Sequence, residues 1–279
     1  VGATLDAVDA VMGGQADHGM NISGGLHHAH ENRASGFCVF NDPAVAVVYL
    51  KSKYHLKRVM YFDMDAHHGD GVMYGFYADP GVLDVDFHED GHYLFPGTGF
   101  TYETGEKEGE GFKANFPVAP GTGDEPYLTG FREVVPTLVR AYKPEFILVQ
   151  CGADSHSNDM LAHLELTTRT YEEIISTLHK LAHEVSSGRI VALGGGGYNP
   201  ANVARCWTLI AAALGEVTLN DDLPEKWKSD LRRSIGLTPP DTLRSVPPKG
   251  HSSERGAAQM QKNMEDLNRR IPLLTGSQP

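Results

Sequence analysis

The stretch Val59-Met60-Tyr61-Phe62-Asp63-Met64-Asp65-Ala66-His67-His68-Gly69-Asp70-Gly71 decides how the chain is read. Four apolar residues in a row predict a strand covered on both faces, as in a parallel sheet. The run then turns into three aspartates and two histidines within eight residues. A strand that passes straight into acids and imidazoles carries them at its carboxyl end, where open α/β sheets gather their ligands. If strand geometry persists, its period of two puts Asp63, Asp65 and His67 on one side, so that carboxylate and imidazole reach one cation. Ordinary hydrogen bonding would account for a single strand-end Asp, but not for five such residues together.

Outward from this stretch, β-rich runs alternate with helical periods. Residues 82–87, 114–118, 146–150 and 190–193 read as further strands, several nearly all apolar. Pro43, after Asn41-Asp42, is placed to open a helix over residues 44–54. Tyr171, Ile174, Ile175, Leu178, Leu181, Ala182 and Val185 form one apolar stripe closed by Gly188, and Val203, Trp207, Ile210, Ala211 and Leu214 form another. Residues 4–8 read as helix from the outset. The pattern predicts an α/β fold, an open and mostly parallel sheet with helices on both faces. After Gly215 five prolines punctuate a polar stretch without strand signals. Residues 253–270 form one further amphipathic helix, read as a surface appendage. The expectation is a single domain over residues 1–279, with a motif-bearing core in 1–215 and a helical or irregular extension in 216–279.

Composition excludes several classes. With 24 Lys+Arg against 36 Asp+Glu the formal charge is −12, which argues against a protein that wraps nucleic acid. The same field is compatible with a basic substrate such as a lysine-bearing peptide. At 279 residues a substantial core can be buried, and no apolar run approaches the ~18–20 residues of a membrane span. Cys38, Cys151 and Cys206 are scattered and lack a CxxC pair, which suits a reducing compartment and a cytoplasmic protein better than a disulfide framework.

Three more motifs carry chemistry. Asp154 follows the strand at 146–150 and could join Asp65 and His67, although a strand-end Asp is also a helix N-cap. Two carboxylates and an imidazole match the three protein ligands of a catalytic zinc site, which leaves a position for water or substrate. All-oxygen Ca²⁺ or Mg²⁺ sites fit less well. In Ser23-Gly24-Gly25-Leu26-His27-His28-Ala29-His30 the paired histidines suit metal binding or general-base work, with plain solvent exposure as the rival. Asp63 and Asp70 are available as imidazole partners that fix tautomer and raise basicity. In Gly194-Gly195-Gly196-Gly197-Tyr198-Asn199-Pro200 four glycines predict a backbone turning tightly beside a ligand. A phosphate cradle is the competing account, but neither a Gly-Lys-Ser/Thr nor a GxGxxG with a downstream acid is present. Tyr198 at the tip could donate its hydroxyl to a polarised carbonyl oxygen.

In this order the pieces resemble the histone deacetylase superfamily, in particular its prokaryotic acetoin-utilisation branch. The matching text runs from Gly24-Gly25-Leu26-His27-His28-Ala29, Gly36-Phe37-Cys38 and Asn41-Asp42 through the stretch at 63–71. It continues with Phe95-Pro96-Gly97-Thr98-Gly99, Gly152-Ala153-Asp154 and residues 194–199, and ends at Ala204-Arg205-Cys206-Trp207-Thr208. It covers most of residues 1–215.

The resemblance implies an arginase/deacetylase-like fold and zinc-dependent hydrolysis of acetyl-lysine amides. By position it implies Asp65, His67 and Asp154 as zinc ligands and His28, backed by Asp70, as general base and acid. His27 is then paired to Asp63, and Tyr198 polarises the carbonyl. Phe37 and Phe95 become the walls of an acyl-lysine channel with Gly36 as a backbone contact inside it. Leu161 stands at the gatekeeper position, where an apolar residue resembles lysine deacetylases more than acetylpolyamine deacetylases. A potassium ion is implied beside the zinc, through groups at Asp63, Asp65, His67, Asp86 and Phe87, with Asp86 standing where Ser is more usual. The implied partner is an acetylated protein or peptide, for which an acetyl-CoA synthetase is one reading, with no nucleic acid and no membrane. Relatives carry a further segment ahead of the His-His region, so Val1 is read as a cut. The competing functions are deacetylation of acetylpolyamines or other small acylamides, an arginase-like dimanganese ureohydrolase, and a non-catalytic acetyl-lysine binder.

Overall fold

Among the described residues six strands form one sheet in the order β1-β6-β5-β2-β3-β4, every pair parallel. They are β1 (Gly19–Asn21), β2 (Val59–Asp63), β3 (Val82–Glu89), β4 (Lys113–Val118), β5 (Phe146–Gln150) and β6 (Ile190–Leu193). The computed structural model describes residues 1–247 and 254–276. The α/β class is as expected, and the sheet is parallel throughout its described strands. Two boundaries extend the sequence reading: β3 runs on to Glu89 and β4 begins at Lys113. The short β1 was not foreseen.

Period-two alternation explains the apolar strands. Met60, Phe62, Val85, Phe87, Ile147 and Val149 face one cluster, together with α4 (Asp124–Tyr142), α5 (Thr168–Val185) and α6 (Pro200–Leu214). Val59, Tyr61, Phe146, Leu148, Val191 and Leu193 face the other, beneath α1 (Gly2–Met12) and α2 (Asp42–Lys53). β2, β5 and β6 feed both layers, whereas β3 puts buried Asp84, Asp86 and His88 on its second face. α2 starts as predicted, Pro43 in its first turn and the Asn41 side chain accepting from the Ala44 N–H at 2.9 Å. A short α3 (Asp70–Gly75) follows the acidic stretch.

The order of strands places the site. β2 hands the chain to β3 on one side, whereas β5 hands it to β6 on the other, so the winding reverses between β2 and β5. The crevice outside their carboxyl ends is the switch point where doubly wound sheets bind ligands. Residues 63–71 leave β2 there, and residues 151–154 leave β5.

Beyond Gly215 come α7 (Glu225–Asp230), a π-type turn, α8 (Glu254–Arg270) and α9 (Pro272–Thr275). The helix foreseen at residues 253–270 is present, starting at Glu254 within the described residues, but it is no surface appendage. Met260 and Leu267 are buried in the core shared with α4, and Asn263 donates to the Pro117 carbonyl of β4 at 2.6 Å. A Cβ on Gly130 of α4 would lie 2.1 Å from the Met260 sulfur, so that glycine is the seat of α8. The three cysteines are free and buried. Among the described residues no helix is long and apolar enough to cross a membrane.

Candidate active site

β2 ends at Asp63, and the next residues are held by side-chain-to-backbone bonds instead of a continued ladder. Asp63 Oδ1 accepts from the Asp65 N–H and Asp65 Oδ1 from the His67 N–H, each at 3.0 Å. These local turns keep Asp65 and His67 together but aim Asp63 elsewhere. Its Oδ2 accepts from the Tyr61 hydroxyl at 2.6 Å and lies 2.7 Å from His27 Nδ1. The expected one-sided row of three is therefore a row of two, and Asp63 becomes a histidine partner.

Asp154 completes the set. One donor atom from each of Asp65, His67 and Asp154 falls within 4.8 Å of the others, and all three residues are buried. His67 Nδ1 sits 3.1 Å from Asp65 Oδ1 and 3.0 Å from Asp154 Oδ2. Asp65 Oδ2 also accepts from Gln150 Nε2 and the Gly196 N–H, each at 2.7 Å, and Asp154 Oδ1 from the Ala66 N–H at 2.8 Å. The electrostatics are those of an unneutralised anionic pair. Burial and the neighbouring Asp65 push Asp154 up to about 7. Burial opposes a charge on His67, yet bonds to Asp154 and Asp65 overcome it and carry the ring to about 10. A proton on His67 thus stands where a cation would satisfy both carboxylates, and the donor set fits a divalent metal with mixed N and O ligands.

Two histidines of opposite character lie beside this cluster. Burial disfavours charge on His27, but Asp63 and Asp65 outweigh it and hold the ring well above its ordinary value. His28, with Nδ1 at 2.7 Å from Asp70 Oδ1, is pushed down by burial and then by the charge on His27, against the pull of Asp70. The rings are 4.0 Å apart between centroids. Environments that separate the protonation of two neighbouring groups mark an acid–base site.

These residues open on a cavity of about 590 Å³ lined by His28, Gly36, Phe37, Phe95, Leu161 and Tyr198, among others. Phe37 is 84 % exposed and Phe95 49 %, so the mouth is edged by aromatic rings in contact with water. Phe95 meets His28 edge-on at 5.1 Å and Phe37 meets Tyr198 at 6.2 Å, which ties both walls to the polar floor. Gly36 has φ +50°, and a Cβ there would lie 2.2 Å from His28 Cδ2, so only glycine lets the loop close over that ring. Burial, with Asp154 and Asp65 nearby, pushes the Tyr198 hydroxyl up, so it remains a donor at neutral pH.

Asp86 and Phe87 are not brought to the cavity. Asp86 pairs in register with Asp63, but its oxygens are engaged by His88 Nδ1 and the Gly69 N–H, each at 2.7 Å. The Phe87 carbonyl accepts from Tyr127 at 3.0 Å and its ring stacks on Phe116.

Two supporting residues carry no signal in the sequence. Gln150 holds Asp65 through Nε2 and accepts from the Gly152 N–H at 2.7 Å. Asp159 accepts from the Tyr198 N–H at 2.8 Å and from the Leu161 N–H at 2.9 Å, binding the Tyr198 loop to the rim.

A parallel sheet with acids, imidazoles and a tyrosine over its switch point defines a metal-dependent hydrolase. Residues 1–214 match the family described as histone deacetylase domain, and the chain belongs to that family of deacetylases. It is 40% identical over 270 residues to the acetoin utilization protein AcuC of Bacillus subtilis (strain 168), covering 94% of this chain and 70% of that protein. To AcuC of Staphylococcus xylosus it is 39% identical, and to AcuC of Staphylococcus aureus (strain MRSA252) 41%, each over 229 residues. Those matches cover 81% of this chain and 59% of each staphylococcal protein. The chain thus spans less than two thirds of the staphylococcal relatives' length.

Proposed function

We propose that the chain hydrolyses the amide of an acetylated lysine in a protein or peptide, releasing acetate and the free amine. The observation that carries this reading is the convergence of the Asp65-His67-Asp154 set, the neutral His28 and the Tyr198 hydroxyl on one aromatic-walled cavity.

Asp65, His67 Nδ1 and Asp154 would hold the metal, read here as zinc. When bound, it supplies Lewis acidity, making water acidic and the amide carbonyl electrophilic. Asp70 fixes His28 with its proton on Nδ1, which leaves Nε2 as the base that takes a proton from the attacking water. Tyr198 donates its hydroxyl to the substrate oxygen as negative charge develops there. His27, kept cationic by Asp63, adds positive charge beside the reacting atoms. An imidazolium then delivers the proton to the leaving amine, and His28 is the group placed to do so. Phe37 and Phe95 flank the methylene chain, and apolar Leu161 at the rim adds no charge that would recruit a polyamine.

As part of the same reading the chain is one deacetylase domain acting in the cytoplasm. An acetylated metabolic enzyme, with an acetyl-CoA synthetase as one example, is a protein substrate to try. An arginase-like site would need a second set of metal ligands beside the first, and among the described residues only Asp65, His67 and Asp154 group there. The test is acetate release from acetyl-lysine peptides, acetylpolyamines and simple acylamides, each with and without a zinc chelator. Chelator-sensitive turnover that favours peptides is expected. Preference for acetylpolyamines would reassign the substrate, and no chelator-sensitive release from any class would leave a binding module.

A further inference from the structure

A second group of three imidazoles lies away from the cavity just described. His18 immediately precedes β1, and His179 and His183 are one turn apart on α5. Gly188 lies two residues before β6. The group therefore sits at the amino ends of parallel strands, whereas Asp65 and Asp154 follow carboxyl ends. A four-residue strand such as β6 separates the two ends by roughly 13 Å.

The three Nε2 atoms converge. His179 is 2.9 Å from His18, His183 is 3.1 Å from His179, and His183 is 3.3 Å from His18. The ring planes are nearly perpendicular, at 87°, 89° and 83°, so the rings meet nitrogen to nitrogen and do not stack. Hydrogen bonds cannot account for this arrangement. His18 Nδ1–H donates to the Gly188 carbonyl at 2.9 Å, which leaves a lone pair on its Nε2. If His179 and His183 each turn an Nε2–H towards that lone pair, their own 3.1 Å contact sets donor against donor. If either turns a lone pair inward, its contact with His18 sets acceptor against acceptor. One ion at the centre satisfies all three lone pairs at once. Zn–N bonds of about 2.0–2.1 Å put ligand nitrogens about 2.9 Å apart at right angles and about 3.4 Å apart in a tetrahedron, the range seen here.

The surroundings are built for the rings. Gly188 has φ +76°, and a Cβ there would lie 2.9 Å from His183 Cε1, so this glycine both accepts from His18 and clears room for His183. Donation of the remote N–H to a backbone carbonyl is how metal-binding histidines are commonly oriented. Asp17 and Glu216 line the same cavity of about 490 Å³ and bring negative charge to it.

We propose that His18, His179 and His183 form a second transition-metal site for a divalent ion of the zinc class, with three imidazole ligands and one open position. The ion would clamp the edge strand β1 to α5. β1 leads directly into the loop bearing His27 and His28, so the clamp would anchor one border of the catalytic cavity from its far side.

The experiment is zinc stoichiometry by elemental analysis, after loading the full chain with Zn²⁺ and removing unbound metal. It compares the wild type, His183→Gln, the double variant His179→Gln/His183→Gln, and Asp154→Asn. Co²⁺ substitution supplies the visible spectrum of each site. His183 is exposed, so its variant is expected to fold, and metal-free melting of each variant checks this. We expect two zinc ions per wild-type chain, one per chain in the double variant and one in Asp154→Asn, with distinct cobalt spectra. A single wild-type zinc that the histidine variants lose and Asp154→Asn keeps would support this site even if the catalytic reading failed. No bound zinc, a single zinc lost only in Asp154→Asn, or a double variant that keeps both ions would overturn it.

Discussion

Replacing Tyr198 by Phe removes one oxygen from the site and nothing else. The loop that carries the ring is held by its backbone, through the Tyr198 N–H to Asp159, and Asn199 caps α6 by accepting from the Ala201 N–H. Neither bond uses the hydroxyl, and the metal set of Asp65, His67 and Asp154 does not include it. The variant should therefore fold, bind metal and admit substrate between Phe37 and Phe95 as before. What it loses is a donor aimed at charge that exists only in the transition state. Loss of one such donor costs roughly 2.7–4 kcal/mol, or about 10²–10³ in kcat. Steady-state kinetics on an acetyl-lysine peptide, with metal content measured on the same sample, separate the effects. The expected result is a kcat lowered by that factor with KM nearly unchanged and a full complement of catalytic metal. Wild-type turnover in Tyr198→Phe, or loss of metal from it, would refute the role given to the hydroxyl.

Three more outcomes follow from the same geometry. His28 is held below its ordinary pKa of ~6.5 by burial and by His27, while its bond to Asp70 pulls the other way, so the acid limb of kcat/KM should fall below ~6.5. Activity is lost as pH drops and His28 gains a proton, and Asp70→Asn should move that limb to still lower pH while reducing kcat; a shift to higher pH would contradict the pairing. In Gly196→Ala the new Cβ would lie 2.1 Å from Asp154 Oδ2 and 2.9 Å from Asp65 Oδ2, so catalytic metal affinity, measured by competition with a chelator, should drop by about 10–100-fold. Met260→Ala should cost about 2–5 kcal/mol in denaturant unfolding because Met260 is buried against Gly130, whereas a helix lying loosely on the surface would register no more than about 0.5 kcal/mol.

The parts that were legible in the sequence share one physical reason. Strands β2, β5 and β6 are buried on both faces, so their apolar runs are nearly unbroken. Asp65, His67 and Asp154 stood out because buried acids and imidazoles at strand ends are costly without a ligand. Strand β1 is not legible because Gly19-Met20-Asn21 has neither the length nor the pattern of a strand; its pairing with β6 defines it. Gly130 and Pro136 interrupt the period of α4, so its sequence carries no unbroken helical stripe. Helix α8 read as peripheral because Met260, Met264 and Leu267 are sparse among charges, and only the groove at Gly130 shows what they fill. Gln150 and Asp159 act through hydrogen bonds, the first to Asp65 and Gly152 and the second to Tyr198 and Leu161, that no residue type announces. The grouping of His18 with His179 and His183 spans more than 160 residues and exists only once β1 docks beside β6.

In the proposed function a metal held by Asp65, His67 and Asp154 serves amide hydrolysis in this cavity. The most direct measurement follows acetate release from an acetyl-lysine peptide while zinc is titrated back into chelator-treated protein, for the wild type, Asp154→Asn and the His179→Gln/His183→Gln variant. No turnover is expected without metal, with recovery in the wild type and the double-histidine variant and none in Asp154→Asn at any zinc concentration. Turnover by the metal-free chain, or equal recovery in Asp154→Asn, would contradict it.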